Sequence, residues 1–192
     1  MTSGIALKEW AIVVEALAAG EQILLVRKGG IRDPKGAFQL QHREFLLYPT
    51  WEHQGEKTEG AIRPEFRQRY EGILRQPHAP AEVPLKVYGG VAFCGEIRAP
   101  DQMKGLEDYH IWSPGFFEER MKYRPQAPTL IVVLRAYRLP REIRHPIRPE
   151  YAGCKSWVPL SEEIPVESAV PAVDNRRFRE ALEKVSARLE SK

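Results

Sequence analysis

Cysteine is nearly absent from this chain: Cys94 and Cys154 are the only two in 192 residues, and neither sits in a Cys-x-x-Cys pair. A structural zinc site takes four clustered Cys and His ligands, so a zinc staple is excluded, and two lone thiols fit a reducing compartment. No run reaches 18 uninterrupted apolar residues, which argues against a spanning helix. The opening Met1-Thr-Ser-Gly-Ile-Ala-Leu-Lys-Glu has neither a basic n-region nor a long apolar core, so a cytoplasmic chain with no membrane partner is expected. The familiar catalytic signatures are missing too. There is no Gly-x-Ser-x-Gly elbow, no Rossmann Gly-x-Gly-x-x-Gly, no Walker A loop and no His-Glu-x-x-His. Glu-x-Lys occurs on no expected strand, which disfavours one common nuclease core.

What is present is the composition of one soluble globular domain, 43% apolar and 29% charged, expected to span 1–192 with 76–128 as a candidate inserted lobe. A chain this long buries enough surface to fold without a metal or a disulfide. The net charge of +3 hides an asymmetry. From Arg120 to Arg148 run eight basic residues (Arg120, Lys122, Arg124, Arg135, Arg138, Arg141, Arg144, Arg148) against the single acid Glu142. Seven of the eight are Arg, whose planar fork suits phosphate and carboxylate. The segment is therefore either a solvated face laced with ion pairs or a phosphate-binding surface.

Apolar patterning gives the elements. Trp10–Leu17, a Gly-containing turn and Gln22–Arg27 read as two strands of a hairpin, with a helix for the first piece as the rival reading. Phe38–Tyr48 reads as extended, ending at Pro49. Pro64–Arg75 reads as a helix, with Pro64 at its first position and Phe66, Tyr70, Ile73 and Leu74 on one face. Leu85–Ile97 is strand-like but interrupted by Gly89-Gly90. Asp101–Tyr109 is a short helix or loop, His110–Trp112 extended, and Phe116–Met121 one or two helical turns. Thr129–Leu139 is the clearest strand, β-branched and almost continuously apolar, hence central. Ser156–Leu160 is a short strand-like piece. Asp174 can cap a last helix within 174–190 whose Phe178, Ala181, Leu182, Val185 and Leu189 share a face. The expected class is α+β: a single mixed β-sheet with covering helices and a C-terminal helix.

Three groups of side chains could carry chemistry. His42, Arg43 and Glu44 are followed by Thr50, Glu52, His53, Gln54 and Glu56. Such a cluster either caps a loop or binds a divalent cation and moves a proton. Arg27 and Lys28 precede Gly29-Gly30, either a plain turn or a backbone cradle for phosphate. His110-Ile-Trp112 with Arg120, Lys122 and Arg124 is either a buried aromatic beside surface cations or a stacking site for a base with its phosphate. His78 and His145 sit beside prolines and read as incidental. A carboxylate at Glu9 or Glu15, at either end of an apolar segment, would be costly to bury unless paired.

Ala6–Trp10, Gln22–Ile31, His42–Thr50 and Glu52–Gln54, continued by His110–Trp112, Arg120, Tyr123–Pro125 and Ser156-Trp157, resemble the uncharacterised family catalogued as domain of unknown function 1802, over about residues 5 to 160. That resemblance implies no assigned chemistry; association of some members with restriction-modification components implies a DNA context. A second, more distant resemblance is to Nudix hydrolases. It rests on a hairpin ending in Ile23–Arg27, on Leu47–Thr50 with Gly55-Glu56, on Glu65-Phe66 and Glu71–Ile73, and on Trp157 before a last helix. In Nudix proteins the signature helix carries adjacent metal-binding carboxylates; here those positions fall at about Arg69 and Tyr70, so the resemblance implies a degenerate signature helix. Two enzymatic and binding readings follow. The leading expectation is a phosphate-ligand domain for nucleic acid or nucleotide that uses Arg27, Lys28, His42, Arg43, Gln54, His110, Trp112, Arg120, Lys122 and Arg124. The rival is a divergent hydrolase needing Mg²⁺ or Mn²⁺, with Glu52, His53 and Glu56 catalytic and Glu52, Glu56 and Glu65 on the metal. A third reading is a non-catalytic subunit whose basic face meets an acidic protein.

Overall fold

A computed structural model describes residues 1–28, 38–51, 60–75, 81–153 and 155–190. Among them, seven strands form one mixed sheet. They are β1 (Thr2–Trp10), β2 (Leu24–Arg27), β3 (Glu44–Thr50), β4 (Glu82–Ile97), β5 (Thr129–Pro146), β6 (Trp157–Pro165) and the two-residue β7 (Val170–Pro171). The strand order is β2-β5-β4-β3-β1-β6, and β7 pairs with the second half of β5. Only β1 and β3 run parallel, in the register Ala6 to Leu46 through Trp10 to Thr50. The helices are α1 (Ala11–Ala19), α2 (Pro64–Arg69), α3 (Glu71–Leu74), α4 (Pro114–Lys122) and α5 (Asn175–Glu190). The α+β expectation holds.

The expected opening hairpin does not form. Trp10–Leu17 is the end of β1 followed directly by α1. Ile12, Val13 and Val14 carry a strand's composition, yet Ala11 to Val14, Ala16 and Leu17 are all buried. A segment apolar on every side has no period to separate helix from strand, so burial in the main core decides. Gly20 then ends the helix in the left-handed region at φ 72°, its N–H donating to the carbonyls of Ala16 and Leu17. Consequently β2 pairs antiparallel with β5, Leu24 opposite Val133, and the hairpin feature behind the Nudix resemblance is absent.

The sheet carries a core on each face because alternate residues of an interior strand point oppositely. Phe45 and Leu47 join the larger core under α1, α4 and α5, whereas Leu46 and Tyr48 join the smaller one with Leu85, Val158 and Tyr151. The central hairpin β4–β5 is longer than expected and runs through Gly89-Gly90 without a break. A Cβ at Gly89 would make ordinary contact with the Leu134 side chain, at 3.4 Å. Similarly, β3 continues through Pro49. Its ladder with β4 stops at Leu46, so on that side a missing N–H breaks no bond. The helix expected over 64–75 divides at Tyr70 into α2 and α3, but Phe66, Tyr70, Ile73 and Leu74 do pack together on the core. Asp174 caps α5, accepting from Arg177 N–H at 2.9 Å, and Phe178, Ala181, Val185 and Leu189 are buried as the pattern requires. No helix among the described residues is long and apolar enough to cross a membrane.

Gly20 tests the turn that replaces the expected hairpin. A Cβ at this position would lie 2.7 Å from the Ala172 carbonyl and would occupy a left-handed backbone. Gly20→Ala should therefore lower unfolding free energy by about 2 kcal/mol in urea titration. An unchanged midpoint would mean that this turn is not a rigid part of the fold.

Candidate anion-binding site

The ends of β1, β2 and α4 meet at one place and bring three cations together. Arg27 is the last residue of β2, Lys28 follows it, and Arg120 lies on α4. The helix starts cleanly: Ser113 Oγ accepts from Phe116 N–H at 3.3 Å, and Pro114 takes the first position. Phe117 is buried and Met121 packs on the core, so Arg120, three residues after Phe117, shares their inward face. Arg27 and Lys28 are carried in by β2, whose Leu24 and Leu25 are fully buried.

The answering charge is Glu9. Its side chain is 10% exposed and that of Arg27 13%, and Arg27 Nη1 lies 3.1 Å from Glu9 Oε2. Arg27 Nη1 also donates to the Lys8 carbonyl at 3.0 Å, and Nη2 donates to Ser156 Oγ at 2.9 Å. The other carboxylate oxygen, Glu9 Oε1, accepts from Trp10 N–H at 2.9 Å. Lys28 is 2% exposed and donates to the Met121 carbonyl at 2.9 Å. Burial, then the neighbouring Arg120 charge, holds the Lys28 ammonium below the usual lysine range. Arg120 is pushed down likewise, first by burial and then by Arg27, with Glu9 pulling the other way. Three cations thus face one carboxylate, and the Nε atoms of both Arg27 and Arg120 are buried without a hydrogen-bond partner among the described residues. Buried donors are ordinarily satisfied, so an orphaned pair inside a positive cluster suits an anion with several acceptor oxygens.

One side of this cluster is aromatic. The Arg27 guanidinium sits 4.7 Å from the Phe38 ring centroid. Phe38 stacks on Trp157 at 6.0 Å, and His42 meets Trp157 edge-on at 5.0 Å. Trp157 Nε1 donates to the Gln39 carbonyl at 2.9 Å.

The expected site residues separate into groups. Arg27, Lys28 and Arg120 come together, and His42 and Arg43 lie along the aromatic edge. Lys122 is on the surface in an ion pair with Glu119 at 2.7 Å, and Arg124 adopts a left-handed φ of 50° beside Tyr123. Trp112 is 3% exposed, stacked on Phe116 at 3.9 Å and edge-on to Trp10 at 5.6 Å, so its ring presents no face to a base. His110 is buried as well. Its Nδ1 accepts from Trp112 N–H at 3.2 Å, and its carbonyl accepts from Arg63 at 2.6 Å. Burial and the Arg63 charge drive its pKa down to about 4. The basic run 120–148 is not one face. Arg135 lies over Phe178 and donates to Asn175, while Arg144 and Arg148 pair with Glu142 and Glu150. Glu52, His53, Gln54 and Glu56 lie outside the described residues. Glu65 is exposed and 3.6 Å from Arg63. Among the described residues no three His, Cys, Asp or Glu side chains converge as a metal site. Glu9, Phe38, Ser156 and Trp157 were not singled out as site residues. The signal available was Glu9 itself, a carboxylate in an apolar strand that had to find a cation.

The class these features define is an α+β domain with a single mixed sheet and, among the described residues, three cations set beside one carboxylate at the ends of β1, β2 and α4. The family described as Domain of unknown function (DUF1802) matches residues 6–184, and the chain belongs to it. No curated protein matches the chain.

Two measurements check the electrostatics. Glu9→Gln removes the one described acid that faces these cations and should cost about 3 kcal/mol in denaturant unfolding, whereas Arg120→Gln relieves repulsion and should cost far less. Equal losses would show a balanced cluster. For His110, the unfolded chain takes up a proton near the ordinary 6.5 while the folded chain resists until about 4. Stability therefore falls as pH drops through that window, by about 3 kcal/mol in all from this group. His145, also lowered by burial, adds to the same limb. His110→Gln should flatten part of the pH 6.5 to 4 loss in unfolding titrations; an unaltered slope would locate the acid sensitivity elsewhere.

Proposed function

We propose that this chain is a binding domain for a phosphate-bearing ligand, a nucleotide or nucleic acid, held at Arg27, Lys28 and Arg120. The supporting observation is the charge balance among the described residues: three cations, one carboxylate, and two buried guanidinium Nε atoms without partners there. Arginine forks match phosphate oxygens bidentately, and a desolvated site strengthens each such bond. An anion at the site would favour the Lys28 ammonium form that burial opposes. Glu9 holds the Arg27 fork in place from the opposite side.

The reading is tested by thermal unfolding with inorganic phosphate, nucleoside phosphates, a short DNA duplex and single-stranded RNA, each with Mg²⁺ and with EDTA. A ligand at 100 times its dissociation constant adds about 2.7 kcal/mol, or roughly 2–4 °C for a chain of this size. The shift should persist in EDTA and vanish in Arg120→Gln. A shift or turnover seen only with Mg²⁺ or Mn²⁺ would favour the metal-dependent hydrolase instead. No shift with any phosphate compound would move the weight to an acidic protein partner.

A further inference from the structure

We infer that the ligand at the cationic cluster is a mononucleotide whose base lies in the open groove beside His42. This deepens the proposed function and rests on it. The groove has a volume of about 540 Å³ and is lined by Gln41, His42, Arg43, Glu44, Gly90 and Val91. That is within the range of small-molecule sites, which span roughly 300–1,000 Å³. One short stretch of chain joins it to the cations. Phe38 lies under the Arg27 guanidinium, Gln39 holds the Trp157 indole through its carbonyl, His42 abuts the same indole, and Gln41 to Glu44 line the groove. The steps from Arg27 to Phe38, to Trp157 and to His42 are 4.7, 6.0 and 5.0 Å. His42 at the groove wall is therefore in ring contact with the indole that adjoins Phe38 and, through it, the Arg27 guanidinium.

The lining suits a heteroaromatic base. Its edge needs both donors and acceptors, and Gln41 offers both, Arg43 donates and Glu44 accepts. Tyr88, from the neighbouring strand, fixes Glu44 by a hydrogen bond. Burial and the Glu44 charge keep that phenol protonated, with its pKa pushed up to about 12. The imidazole of His42 supplies a flat ring at the groove wall. Gly90 leaves the floor open, since a Cβ there would meet nothing within 4 Å. A strand position with free space above a glycine, between Glu44 on β3 and Arg135 on β5, has no packing need for that glycine. Close approach of a ligand supplies one.

The decisive variant is Gly90→Val. Valine suits a strand, the space for it is empty, and the residue touches none of the three cations, so fold and phosphate contacts should survive. Isothermal titration of the full chain would compare inorganic phosphate, ribose 5-phosphate and the four ribonucleoside 5′-monophosphates. At least one monophosphate should bind 10-fold or more tightly than ribose 5-phosphate. Gly90→Val and His42→Ala should each erase that advantage while inorganic phosphate affinity stays put, and Arg120→Gln should weaken every compound. Equal binding of phosphate, ribose 5-phosphate and monophosphates would overturn the base site and leave the phosphate site standing. Binding of a single-stranded oligonucleotide with none of any monophosphate would overturn it as well. Base-dependent binding indifferent to Arg120→Gln would keep the groove and overturn the cationic cluster as its phosphate end. No binding of any of these compounds would overturn both.

Discussion

A carboxylate at the end of β1 faces one buried lysine and two half-buried arginines, and much of the architecture follows from keeping it there. Glu9 meets Arg27 only because β1 and β2 finish at the same end of the molecule. Arg27 in turn reaches the Lys8 carbonyl on β1 and the Ser156 hydroxyl before β6, so one guanidinium joins three segments that are distant in sequence. Burying like charges is expensive, and repulsion alone would splay these elements. They stay together because apolar burial is larger: Leu7, Leu24, Leu25 and Phe117 pack in the same core immediately beneath. The domain therefore spends hydrophobic stability on holding like charges together.

The legible parts of this fold were those in which one physical signal dominated. Helix α5 has a capping Asp174 and a clean apolar stripe, and both are realised. The long strand from Thr129 is interior, as a two-sided apolar run demands. The segment 11–19 was illegible in type because its residues are apolar all round, and only tertiary burial chooses between its conformations. Pro49 and Gly89-Gly90 pointed to breaks that strand pairing overrides: the β4 ladder has already ended at Leu46 before the proline, and both glycines are paired with Ala136 and Arg135 of β5.

For the site, composition located the cations but not their company. Arg27, Lys28 and Arg120 were visible as basic residues beside apolar runs, yet they are separated by some ninety positions, and their convergence is a property of the sheet order. The arginine-rich run 120–148 looked like one surface because it is contiguous in sequence. A strand alternates its faces and this one bulges near Pro140, so its arginines scatter to Phe178, Glu142 and Glu150. Of the two readings of Trp112, buried aromatic or stacking platform, the structure shows the first: it is buried, and Trp10 and Phe116 claim both its edge and its face. Trp157, with a partly exposed ring against Phe38 and His42, is the tryptophan placed beside the cations.

The interior position of β1 also governs the order in which the molecule can be built. Strand β1 pairs with β3 on one side and with β6, residues Trp157–Pro165, on the other. Its second partner begins at Trp157, long after β1 ends at Trp10. At typical synthesis rates of about 5–20 residues per second, that leaves roughly 7–30 seconds with an apolar strand edge unpaired. Nascent chains stalled before β6 should be the aggregation-prone species of this protein, and its folding should be completed late, by closure of distant segments rather than by growth outward from the N-terminus.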